Sequence, residues 1–158
     1  MIAYKRMSWI AVFAWMAVIF YLSHQPGSAS SNLSSGIVAG LLDFINQLAP
    51  EIDLDVEVFH TFIRKNAHFI AYFILSLVSL NAWTSSGFRG GARVLLSLAT
   101  TVLFAITDEI HQLFIDGRSG EVRDVLIDSA GASLGVLLYL VFGKALHWSK
   151  KADNSRKR

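Results

Sequence analysis

Three short stretches of this chain gather the residue types that bind charge or move protons. The first holds Arg64, Lys65, His68 and Tyr72, with Arg64, His68 and Tyr72 at i, i+4 and i+8. On a helix that spacing draws one stripe. The second holds Asp108, Glu109, His111 and Gln112, where Asp108 shares a helical face with both His111 and Gln112. The third holds Asp124 and Asp128, again i, i+4, and follows a loop with Asp116 and Arg118. Arg64, Lys65 and Arg118 suit a phosphate or carboxylate, which they would hold by charge-assisted hydrogen bonds. Asp108, Asp124 and Asp128 suit pairing with those cations or with an ammonium group. Tyr72 and Gln112 complete the candidate binding set. His68 suits general acid–base work, oriented by Glu109 or Asp108. A metal held by His68, His111 and carboxylates is a third chemistry. Neither histidine sits in an HxxxH pair and the nearby cations oppose a metal, so no metal or cofactor is assigned. The structural alternative is that these groups are solvated at an interface or tie helices together as ion pairs.

The elements that must position them are long and apolar. Hydrophobic residues make up 53% of the 158 residues and charged residues only 16%, against a usual charged share of about 25%. One domain is the expectation at this length. There are no cysteines, which excludes disulfides and thiolate metal sites. A spanning helix needs about 20 mostly apolar residues. Four stretches qualify, at about residues 7–22, 67–83, 92–114 and 125–146, followed by a basic tail at 147–158. The predicted fold class is all-α: a polytopic membrane protein built as a four-transmembrane-helix bundle. Residues 7–22 have a rival reading as a signal peptide cleaved after Ala29. Trp9, Trp15 and the neighbouring aromatics suit an anchored helix better.

Charge sorts by side. Lys5, Arg6, Arg89, Arg93, Lys144, Lys150, Lys151, Arg156, Lys157 and Arg158 fall on one side of four spans, and eleven of the twelve acidic residues fall on the other. Basic loops stay in the cytoplasm. The expectation is therefore a multi-pass protein with both termini cytoplasmic, and with residues 24–66 and 115–123 outside. All three polar stretches then lie at the outer leaflet. Ionisable groups inside a span are costly and mark functional sites by default. In the first outer segment, Leu33, Ile37, Leu41, Phe44, Ile45 and Leu48 recur at helical spacing, as in an interfacial helix or a cap on the bundle. Glu51, Asp53, Asp55 and Glu57 then alternate with apolar residues, which reads as a short extended stretch or a solvated loop. Gly131 and Gly135 have the GxxxG spacing that permits close helix approach.

The same residues carry a resemblance. SHQP after the first span, RKNAHFIAYFILSL at the second, and DEIHQLFIDGRSGEVRDVLIDSAGASLG across the third and fourth resemble the VanZ-like family, named for a teicoplanin-resistance protein. The resemblance runs in order from Ser23 to Gly135. Its pattern maps onto Arg64, Lys65, His68, Tyr72, Asp108, Glu109, Gln112, Arg118, Asp124, Gly131 and Gly135. Asp128 departs from it where Asn is expected. The resemblance implies a bacterial cytoplasmic membrane protein linked to the envelope or to lipoglycopeptides, and it supplies no reaction. Three functions follow as expectations. The first is an outer-leaflet pocket that engages a lipid head group, a cell-wall intermediate or a lipoglycopeptide. The second is a membrane enzyme acting on a lipid-linked phosphate or ester through His68 and Glu109. The third is a small lipid transporter; four helices are few for a monomer to enclose a pathway, and a dimer could supply it. The expected partners are membrane lipids and such lipid-linked intermediates; no feature suggests nucleic acid.

Overall fold

A computed structural model describes the backbone of residues 2–48 and 56–156, with side chains outside 28–34, 37, 46 and 143–156. All of its regular structure is helical: α1 (Ile2–Ser23), α2 (Gly27–Leu48), α3 (Val56–Ser85), α4 (Gly90–Gln112) and α5 (Val122–Arg156). Four helices are long and apolar enough to span a membrane: α1, α3, α4 and the Val122–Phe142 part of α5. The expected all-α, four-span architecture is the one observed. Much of the alternating acidic stretch expected before α3 lies in residues 49–55, outside the described residues.

The packing is inverted relative to a water-soluble bundle. Ser76, Ser79, Ser97 and Thr101 are buried between helices, while Ile10, Phe13, Leu95, Leu103, Leu126 and Leu137 face outward, each more than half exposed. An apolar exterior of that extent needs lipid around it. Small residues inside let backbones come close. The most extensive helix pairing is α3 with α5. There a Cβ on Gly131 would lie 2.3 Å from the Phe69 carbonyl oxygen, and one on Gly135 would lie 2.3 Å from Ser76 Oγ. The GxxxG spacing thus marks a true contact. On the other side of α3, α1 contributes Val12 and Ile19 to the apolar core, and Trp15 Nε1 donates to the Ala71 carbonyl at 2.9 Å.

Two tight connections fix the order of the helices. At the end of α3 the Gly87 amide donates to the Thr84 carbonyl and the Phe88 amide to the Trp83 carbonyl. Gly87 has φ +98°, and the Phe88 ring meets the Trp83 ring edge-on at 5.2 Å. This is a Schellman motif with its hydrophobic contact, and it turns the chain directly into α4. Between α4 and α5, Gly117 takes φ +70°. The start of α2 rests on this loop, with the Gly27 amide donating to the Asp116 carbonyl at 3.1 Å. α2 packs chiefly against α3. It buries Val38 and leaves Leu41, Phe44 and Leu48 uncovered.

Candidate functional site

α3 begins at Val56, a full three turns before the apolar stretch that reveals it in the sequence. Arg64, Lys65 and His68 are therefore held on a helix, where their direction is set by the backbone. The antiparallel order of the helices brings this part of α3 together with the end of α1, the end of α4, the α4–α5 loop and the start of α5. One cleft at that end of the bundle is lined by Arg64, Lys65, His68, Gln112, Arg118, Ser119, Asp124, Ile127 and Asp128. It encloses about 10 Å³, about the room one water needs.

Asp108 is 1% exposed. Its Oδ2 accepts from Ser23 Oγ at 2.8 Å, from the Tyr72 hydroxyl at 3.3 Å and from Gln112 Nε2 at 3.5 Å. Each hydrogen bond to a charged group is worth about 1.5–3 kcal/mol. Asp108 thereby joins α1, α3 and α4. Oδ1 of the same carboxylate is buried without a partner. Glu109, one residue on, turns to a different side. Its Oε1 accepts from Gln112 Nε2 at 3.3 Å and its Oε2 from the Glu121 backbone amide at 2.9 Å. That second bond ties α4 to the residue just before α5. Gly120 beside it sits so close that a Cβ would lie 2.4 Å from the Glu109 carbonyl oxygen.

The cations have partners of their own. Lys65 Nζ pairs with Asp124 and, at 3.3 Å, with Glu121. Arg118 donates from Nε to the Gln25 carbonyl and from one terminal nitrogen to the Leu22 carbonyl, both at 3.1 Å. It thus satisfies the Leu22 carbonyl in the last turn of α1 and the Gln25 carbonyl just past it, where a cation also suits the helix dipole. Arg64 lines the cleft. Burial, and then the charge of Arg64, hold the Arg118 guanidinium below its ordinary pKa. Glu121, outside the spans, is held below the ordinary carboxyl range by the Ser119 hydroxyl and then by the Lys65 ammonium.

His68 stacks against Tyr72, with ring centroids 6.3 Å apart. Its closest carboxylate is Asp128, with Nδ1 3.7 Å from Oδ2. The sequence suggested Glu109 or Asp108 as the group orienting His68; the start of α5 brings Asp128 nearer instead. His68, Glu109 and Asp128 each offer one ligand atom, and the three atoms lie within 4.8 Å of one another. His111, considered with His68 for a metal, points elsewhere. Its Nε2 lies 3.0 Å from His24 Nδ1, and its ring stacks on Phe20 at 4.4 Å. His111 faces the end of α1, whereas His68 faces the start of α5. The sequence assigns no role to three site groups: Ser23, Ser119 and Glu121. Ser23 had a signal, because it opens the SHQP stretch, but its carboxylate partner is 85 residues away.

Comparison with known proteins finds the same family. The family model described as VanZ/LLP1 matches residues 8–143. An "Uncharacterized membrane protein YwnJ" from Bacillus subtilis (strain 168) is 33% identical over 101 residues, covering 64% of this chain and 59% of the relative. The matched part thus spans about three fifths of that relative's length. No solved structure matches.

Proposed function

We propose a function from one premise: the chain belongs to the VanZ/LLP1 family and is a multi-pass membrane protein. Its polar cleft engages the phosphate of a lipid head group, a cell-wall intermediate or a lipoglycopeptide at the outer leaflet of the bacterial cytoplasmic membrane. In doing so it modulates the envelope and teicoplanin-type resistance. The observation that supports this reading is the meeting of Arg64, Lys65 and Arg118 at one cleft lined by α3, α4, the α4–α5 loop and α5. Ten basic residues at or past the opposite ends of the spans support an outer position for the cleft by the positive-inside rule. The uncovered Leu41, Phe44 and Leu48 suit α2 to the outer interface, beside the head groups. The cleft has room for about one water, so a head group meets it at the mouth, where Arg64 and Arg118 stand.

The test is binding of the purified chain to phosphatidylglycerol in nanodiscs, with phosphatidylcholine as the reference. Arg64→Ala should weaken the anionic preference by about tenfold, the loss of one charge-assisted contact of about 1.4 kcal/mol. Arg118→Lys should weaken it less. Equal binding by wild type and Arg64→Ala would refute the cleft as the site. The close approach of His68, Glu109 and Asp128 favours a second reading, an enzyme acting on a lipid-linked phosphate or ester. Lipid profiles of cells expressing wild type or His68→Ala discriminate the two, since a binding protein leaves no product.

A further inference from the structure

The carboxylates at the base of the cleft carry more negative charge than the residues around them answer. Among the described residues, the ion pairs are Lys65 with Glu121 and Asp124, and His68 with Asp128 at 3.7 Å. Lys65 is thus committed to the loop and the first turn of α5, and Arg118 to the carbonyls of α1. Asp128 is 0% exposed, and neither of its oxygens has a hydrogen-bond partner. It sits six residues into α5, about 9 Å along the axis from Val122. A buried carboxylate without a donor is costly. This one is aimed at His68 and Glu109.

We propose that His68 Nδ1, a Glu109 oxygen and an Asp128 oxygen form a binding site for a divalent transition metal, Zn²⁺ or Mn²⁺. Imidazole and carboxylate together suit these ions. Ligand atoms about 2.0–2.2 Å from zinc in a tetrahedral site lie roughly 3.3–3.6 Å apart, and His68 Nδ1 is 3.7 Å from Asp128 Oδ2. A few tenths of an ångström of closure completes that edge. The surroundings of the ligands are those of a supported site. Gln112 and the Glu121 amide hold the two oxygens of Glu109, and Tyr72 stacks on the His68 ring. Two of the cations that oppose a metal in the sequence, Lys65 and Arg118, are held by their own partners. Three protein ligands leave coordination positions open to water or to a ligand oxygen.

The proposal stands apart from the head-group reading, because its ligands are different residues. The test uses the full chain, purified in detergent, stripped with chelator and titrated calorimetrically with Zn²⁺ and, separately, Mn²⁺. Wild type should take up about one equivalent of at least one of them. Asp128→Asn, nearly isosteric, should weaken binding by at least about tenfold. Arg64→Ala, in the same cleft but outside the triad, should keep it. No stoichiometric uptake by wild type, or equal affinity in Asp128→Asn and Arg64→Ala, overturns the site. X-ray absorption of the zinc-loaded wild type needs no variant. An oxygen–nitrogen shell with an imidazole scatterer supports the site, and a shell without imidazole overturns it.

Discussion

Replacing Gly131 with alanine adds one carbon where α5 crosses α3. That Cβ would lie 2.3 Å from the Phe69 carbonyl oxygen, against a floor of about 3.0 Å for real Cβ contacts. The two backbones must therefore part by about 0.7 Å. A carbonyl inside a helix cannot swing aside as a side-chain tip can. Overpacking of this kind typically costs about 1–3 kcal/mol, and for a chain of this size each kcal/mol moves Tm by roughly 2–4 °C. The expected fall is roughly 2–12 °C. Tryptophan fluorescence in detergent at one scan rate reads it, since Trp9, Trp15 and Trp83 all pack within the bundle; a fixed rate matters where unfolding is irreversible. Gly40→Ala is the control. Nothing lies within 4 Å of a Cβ there, and alanine is the better helix former by about 1 kcal/mol. If Gly131→Ala melts with wild type or with Gly40→Ala, the α3–α5 contact is not as close as described. The displacement also reaches the site, because Phe69 adjoins His68 and Gly131 lies three residues after Asp128.

Asp108→Ala leaves the Ser23 and Tyr72 hydroxyls without their acceptor, at about 1–3 kcal/mol for each buried donor. Asp108→Asn keeps an acceptor oxygen and should melt measurably above Asp108→Ala; identical melting would show that the hydrogen bonds to Oδ2 carry no stability. Glu121 supplies a pH-dependent effect. Its folded pKa is depressed below the ordinary 4.5, so its stabilising contribution is present above about pH 4.5 and is lost as pH falls through the folded value. Glu121→Gln should therefore narrow the gap to wild type below pH 4.5 and leave it widest at neutral pH, in melting scans across that range.

The four spans were legible because hydrocarbon thickness imposes a length and a composition on any crossing helix. Their ends were less so. Hydropathy drops at Arg64, Lys65 and His68, yet α3 continues back to Val56, since charged side chains do not break a helix whose backbone bonds are intact. The stripe Arg64–His68–Tyr72 was legible from helical spacing alone. Which partner each group takes was not. Asp108 and Glu109 are adjacent in the chain but turn about 100° apart on α4, so one meets Ser23 and Tyr72 and the other meets the Glu121 amide. Nothing in local spacing says that Arg118 reaches the α1 carbonyls, or that Asp128 rather than Glu109 lies nearest His68. The Asp128 pairing follows from how closely Gly131 lets α5 approach α3, a property of two helices at once.

Side-chain length sorts the charges of the cleft into layers. Lysine and arginine carry their charge on long stems and reach toward the polar boundary of a membrane. Here Lys65 meets Asp124 and the part-exposed Glu121, and Arg118 reaches the end of α1. Aspartate has no such reach, so Asp108 and Asp128 stay where the backbone puts them, 1% and 0% exposed. The result is a cationic rim over an acidic floor. An anionic group arriving from outside meets Arg64 and Arg118 first and has no counter-charge to seek below them. A small cation faces the opposite gradient, because its ligands lie beneath the rim, at a cleft with room for about one water. The two proposed ligands therefore do not compete for the same atoms. Weakening the rim alters the first without removing the second, which is why Arg64→Ala and Asp128→Asn should have separable effects.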